Sequence, residues 1–178
     1  MRFTQSLVWL AMLCGATVVE GQTPATAAAT SRPQAVRVSY VQGEVKVSTG
    51  TAGQPDLSTK WVAAGVNFPI VKGATLATEN GRAEVEFENG SMAYLAEHSV
   101  LQFLKLKSDP QGTTSLIRLL TGRATFELES NGHDVFEIGS SAAMFRMKEK
   151  TALRVESALD GALFRVVEGT IAILLTPA

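Results

Sequence analysis

Arg82-Ala83-Glu84-Val85-Glu86-Phe87-Glu88-Asn89-Gly90-Ser91-Met92-Ala93-Tyr94-Leu95-Ala96 alternates apolar and charged side chains up to an Asn-Gly pair, then resumes an apolar run. A period of two places Ala83, Val85 and Phe87 on one face of a strand and Glu84, Glu86 and Glu88 on the other. Asn-Gly favours a two-residue type I′ turn. That turn predicts a hairpin pairing Glu88 with Ser91, Phe87 with Met92, Val85 with Tyr94 and Ala83 with Ala96, all with one apolar face. The ordinary reading of the three glutamates is a solvated surface; the sharper one is a cation or partner site.

The same period recurs outward from this hairpin: at Val36, Val38 and Tyr40, at Ala124, Phe126 and Leu128, at Phe136 and Ile138, at Leu153 and Val155, and at Phe164 and Val166. Ser115 to Leu120 is short and runs into Gly122, so it reads as strand rather than helix. An apolar-x-Gly-x-apolar-x-apolar pattern appears three times, around Gly43 (Val41 to Val47), Gly122 (Leu120 to Phe126) and Gly169 (Val167 to Ile173). Glycine heading an alternating run predicts a corner with positive φ, after which a strand enters the core. The copies are unevenly spaced, which points to recurrent corners in a roll rather than to a regular solenoid. The expected fold is all-β: an antiparallel two-layer sandwich, a jelly-roll-like roll, preceded by a signal peptide and a flexible leader.

The material suffices for one domain: 178 residues, 46% hydrophobic, formal net charge -1. A pI near 6.1 lacks the dense basic surface that binds nucleic acid or an anionic membrane. Arg2 followed by the apolar stretch Leu7 to Val19 has the layout of a secretory signal, too short to span a bilayer as a helix. The expected division is a signal peptide over 1–21, an Ala/Thr/Pro-rich flexible leader over 22–34 and a β domain over 35–178. The single cysteine, Cys14, lies in the apolar run, so the exported chain would form no disulfide. Leu13 before it is larger than the small residue usual at a lipidation site.

Catalytic motifs are missing: the sequence has no Gly-x-Ser-x-Gly and no His-Glu-x-x-His, and its two histidines, His98 and His133, are far apart. His98 beside Glu97 and His133 beside Asp134 would point to opposite faces of a strand, which disfavours a metal site. Lys105, Lys107, Lys148 and Lys150 read as solvated strand edges that discourage aggregation. Trp61 and Tyr94 are candidates for stacking on a sugar, with a place in the core as the ordinary reading. No catalytic, cofactor, metal or binding residue is assigned, and no cofactor is implied.

Several stretches together resemble the FecR domain family: Val41-Gln42-Gly43-Glu44-Val45, Trp61, Gly73 with Leu76 and Thr78, Arg82 to Ser91, Leu95, Ser99, Leu120 to Phe126, and Val167-Glu168-Gly169-Thr170-Ile171. Two places depart from that pattern. Lys150 stands in the glycine place before Thr151-Ala152-Leu153-Arg154-Val155, and Ile138-Gly139-Ser140 stands where the family more often has Thr-Pro. The resemblance implies a periplasmic or extracellular β domain, best known from sensors that relay an outer-membrane receptor signal to a cytoplasmic sigma factor. Few residues precede the apolar run here and no second spanning stretch follows, so the expectation is a stand-alone exported protein rather than a whole transmembrane regulator.

The reading of the sequence is therefore a non-catalytic, exported, FecR-like binding or signalling module of the bacterial cell envelope, whose partner is an envelope protein or polymer. One alternative is a detached sensor domain acting with a separate membrane-spanning regulator. Another is a carbohydrate-binding or structural envelope protein, and a carbohydrate-active or metal-dependent hydrolase is the least supported.

Overall fold

The computed structural model describes residues 30–49, 60–140, 143–158 and 160–174, and the expected signal peptide, most of the leader and Cys14 lie outside them. The described residues form fourteen strands: β1 (Arg32–Pro33), β2 (Val36–Gln42), β3 (Val45–Ser48), β4 (Trp61–Ala63), β5 (Thr75–Thr78), β6 (Arg82–Phe87) and β7 (Met92–Leu95), then β8 (Val100–Asp109), β9 (Gly112–Leu128), β10 (Val135–Gly139), β11 (Met144–Met147), β12 (Thr151–Ala158), β13 (Gly161–Glu168) and β14 (Ala172–Leu174). There is no helix among them, and so none that is long and apolar enough to cross a membrane.

Two layers emerge from the pairing. One runs β4-β3-β5-β8-β9-β10-β11-β14, with β1 beside β8; the other runs β2-β6-β7-β9-β12-β13. The long strand β9 belongs to both: residues 112–121 pair with β8, and residues 122–128 pair with β12. The layers meet through aromatic rings. Phe87 of β6 lies edge-on to Phe136 of β10 (5.6 Å) and tilted against Phe103 of β8 (6.4 Å), while Phe145 of β11 packs on Phe164 of β13 (4.1 Å). All but one of the ladders are antiparallel; β9 and β10 run parallel, Val135 opposite Thr114. The connection from β9 to β10 passes from one layer to the other, which lets two successive strands lie side by side in the same direction.

The three glycine corners are points where the chain changes layer. Gly43 stands between β2 and β3, Gly122 within β9 and Gly169 between β13 and β14, all with φ between 72° and 92°. Each packs on a second crossing. A Cβ at Gly43 would lie 2.4 Å from the Asn80 carbonyl oxygen, at Gly122 2.5 Å from that of His98, and at Gly169 2.4 Å from that of Lys150. Six crossings thus pack in three pairs: those of Gly43 and Gly122 adjoin at one end of the roll, where Glu79 N donates to the Glu44 carbonyl (3.0 Å) and His98 N to that of Glu79 (3.0 Å), and that of Gly169 lies at the other end, where Thr151 is opposite Leu128. Ser99 locks the Gly122 pair: its Oγ accepts from Arg123 N (2.9 Å) and donates to the Arg123 carbonyl (3.0 Å). Thr78 Oγ1 in turn accepts from Ser99 N (2.9 Å) and donates to the Ala96 carbonyl (2.6 Å).

The β6–β7 hairpin differs from the sequence reading by one residue. Ala83 pairs with Leu95, Val85 with Ala93 and Glu86 with Met92. Gly90 N donates to the Phe87 carbonyl (2.9 Å), Phe87 N to the Ser91 carbonyl (2.9 Å), and only Gly90 has positive φ. This is a three-residue loop, a type I turn closed by a left-handed glycine, whereas type I′ would need Asn89 left-handed as well. The shift turns Ala93 and Leu95 into the core and puts Met92 and Tyr94 on the outer face.

Strand pairing is present before residue 35 as well. Arg32 and Pro33 pair with Ser108 and Lys107, and Gln34 is buried, accepting from Ser115 Oγ (2.8 Å). Glu88 holds this segment in place, accepting from the Arg32 guanidinium, from Ala35 N (2.9 Å) and from Ser108 Oγ (3.1 Å). The Arg32 hydrogen bond, offset in part by burial, keeps the Glu88 carboxyl below its usual range.

Candidate binding surface

The outward side of the β6-β7-β9-β12-β13 layer carries four arginines that no close ion pair absorbs, Arg82, Arg123, Arg154 and Arg165. Register aligns Glu84, Tyr94, Thr125, Arg154 and Arg165 in one row across it. Arg82, Tyr94, Glu97, Arg123, Thr125 and Arg154 line a shallow cleft of about 380 Å³. Arg82 reaches Glu97 only at 3.9 Å and Arg154 Nε reaches Glu156 only at 3.6 Å, and Arg123 and Arg165 have no ion pair among the described residues. Arg154 and Arg165 are directly opposite each other, an arrangement in which like charges oppose the pairing.

Along the row, β13 ends the layer. Among the described residues it pairs only with β12. Its inward residues Ala162, Phe164 and Val166 face Ser157, Val155 and Leu153 of β12, while Leu163, Arg165 and Val167 point out. Leu163 is 54% exposed and Val167 68%, against 0% for Leu153 and Val155. Leu163, Phe164, Val166 and Val167 make β13 apolar on both faces, a pattern the sequence offers but alternation alone does not single out.

The acidic hairpin face is not a free carboxylate cluster. Glu86 pairs with Arg37 (2.6 Å) and Glu88 with Arg32, and only Glu84 lacks a salt bridge among the described residues. Those residues contain no group of three metal-ligating side chains. His98 sits left-handed (φ 55) at the β7–β8 crossing, where its carbonyl meets Gly122. His133 lies at the other end of the roll, its N–H on Asn131 Oδ1 (2.9 Å).

Trp61 and Tyr94 are not core residues. Trp61 is 40% exposed on the three-residue edge strand β4. Tyr94, half-buried on the outer face after the register shift, donates to Glu127 (3.0 Å), and burial, then Glu127, raises its pKa. Lys105 and Lys107 lie on the interior strand β8 rather than on a sheet edge; Lys107 pairs with Asp109 (3.1 Å) and Lys150 with Glu129 (2.9 Å).

Asp134, read in the sequence only as a neighbour of His133, is structural. It is 3% exposed and accepts from Thr113 N (2.8 Å) and Thr113 Oγ1 (2.7 Å). Burial pushes its carboxyl up, but the Thr113 hydrogen bonds, with those of Asn89 and Asn131, outweigh it and hold the pKa below its usual value. Asp134→Ala should cost about 2–3 kcal/mol in urea unfolding at neutral pH, because the buried Thr113 donors lose their acceptor. A carboxyl depressed on folding stabilises fully above the ordinary Asp range and stops contributing as pH falls through its folded value. The gap between wild type and variant should therefore narrow below about pH 4. A gap that stays constant down to strong acid would contradict this account.

The comparisons bear on the whole arrangement. The FecR protein family model matches residues 74–172, more than half of the chain, from just before β5 through the first residue of β14. The chain belongs to the FecR family. No curated protein and no solved structure matches it. The matched FecR region contains the second and third glycine corners, both strands of the hairpin and all of β13. The first corner, at Gly43, lies outside it and adjoins the Gly122 crossing through Glu79.

Proposed function

We propose that this chain is a non-catalytic, exported FecR-family module of the bacterial cell envelope that works by binding an envelope protein. FecR membership supports a sensor-like envelope role. The observation that carries the binding reading is the apolar strand β13, open among the described residues and beside arginines held in no close ion pair there, since a long exposed apolar edge is a template for another chain. The secretory layout of residues 1–21 supports export.

The test is to express the full chain with a C-terminal tag and treat intact cells with a cross-linker that does not cross the inner membrane. The expected result is a tagged protein beginning at Gln22 that forms a discrete adduct with one envelope protein. An uncleaved protein confined to the cytoplasm would overturn the export part. A turnover activity abolished by one point substitution would overturn the non-catalytic part.

A further inference from the structure

Every sheet edge among the described residues is short or covered, with one exception. The outer side of β2 is capped at Val36 and Val38 by residues 67–70, which leaves only a short remainder: Val38 N donates to Phe68 O (2.9 Å), Asn67 N to Val38 O (2.7 Å) and Ile70 N to Val36 O (2.9 Å). β4 and β14 have three residues each. β13 has eight, is unpaired on its far side, and carries neither lysine nor proline, the usual guards of an edge.

Resting on the binding reading above, we propose that β13 receives an extended segment of a partner protein as an added strand, with the local pattern apolar-apolar-acidic-apolar-apolar. The pattern follows from the residues it would face. Positions opposite Phe164 and Val166 continue the inward face, where Phe164 already packs on Phe145. Those opposite Leu163 and Val167 cover their exposed side chains. The central position faces Arg165, which among the described residues has no ion pair and stands beside Arg154, whose buried Nε has no hydrogen-bond partner there. An acidic residue there relieves a like-charge pair that has only the looser Arg154–Glu156 contact (3.6 Å) to offset it.

A second copy of the chain fits less well. A continuous sheet must set inward residues opposite inward ones. Of the two self-pairing registers that overlap β13 most fully, one centres on Arg165 and opposes it to itself. The other centres on Phe164 and opposes Asp160 to Glu168. Both bring like charges together, whereas the acidic segment brings opposite ones.

The experiment measures binding of two labelled peptides to the full-length exported chain by fluorescence anisotropy. One is Val-Ile-Glu-Ile-Val flanked by serines; the other has lysine at the centre. Wild type should prefer the acidic peptide by roughly tenfold. Arg165→Glu should reverse the preference, and Val167→Lys should weaken binding of both. These positions are exposed, so thermal unfolding of the variants should match wild type. Equal binding of the two peptides, or a preference unmoved by Arg165→Glu, would overturn the proposal. Sedimentation showing a dimer dispersed by Val167→Lys would overturn it in favour of self-pairing. The cross-linking experiment separates the two levels: an envelope adduct that survives both substitutions leaves the binding module standing and removes β13 as its site, while no adduct with wild type removes the module reading itself.

Discussion

Gly122→Ala should lower the stability of the domain by about 3–5 kcal/mol. The added Cβ would lie 2.5 Å from the His98 carbonyl oxygen and 2.5 Å from both Cα and Oγ of Ser99. The carbonyl and Cα are backbone atoms of a neighbouring crossing and cannot rotate aside. The same hydroxyl is the clamp on Arg123, so moving it breaks two hydrogen bonds at the corner. Gly90→Ala is the matched control: φ is 85° there against 86° at Gly122, but no heavy atom lies within 4 Å. That variant bears only the left-handed backbone cost, about 1–2 kcal/mol. Urea unfolding followed by circular dichroism measures both, and the difference isolates the close approach of the two crossings. Equal costs would mean that the crossings are not packed as described.

Phe87→Ala should cost about 3–5 kcal/mol. Phe87 is 2% exposed and touches aromatic rings on two strands of the opposite layer, so its loss opens a cavity between sheets instead of on one surface. Phe164→Ala, on the half-covered strand β13, should cost less, because part of the volume it vacates is already open to water. The same unfolding measurements rank the two. A larger loss at Phe164 would show that β13 is core and not an open edge, and would remove the ground for strand addition.

Much of this architecture was legible in local pattern. Alternation at Val36 and Val38, at Ala83, Val85 and Phe87, and at Leu153 and Val155 marks residues that are buried in the folded chain, because a strand with one wet face has only one arrangement that hides its apolar side chains. The hairpin register was not legible. Asn-Gly permits two loop lengths, and the choice between them depends on which face of β7 the β9 strand and the core require.

The binding surface was less legible still. Phe164 and Val166 announce a strand, but nothing local says that no further strand lies beyond it. Nor does the sequence place Arg154 opposite Arg165, eleven positions away. Glu88 shows the reverse error: one of three similar glutamates, it becomes the anchor of the N-terminal segment only because Arg32, Ala35 and Ser108 converge on it.

By itself, then, the sequence determined the all-β class, the alternation of the strands and the three positions where glycine turns the chain, since these depend on dihedral freedom and a period of two. The tertiary structure decided which crossing packs against each glycine, which turn closes the hairpin and which strand is left without a neighbour. Those outcomes rest on contacts between residues distant in the chain, and such contacts leave no periodic trace in the order of the amino acids.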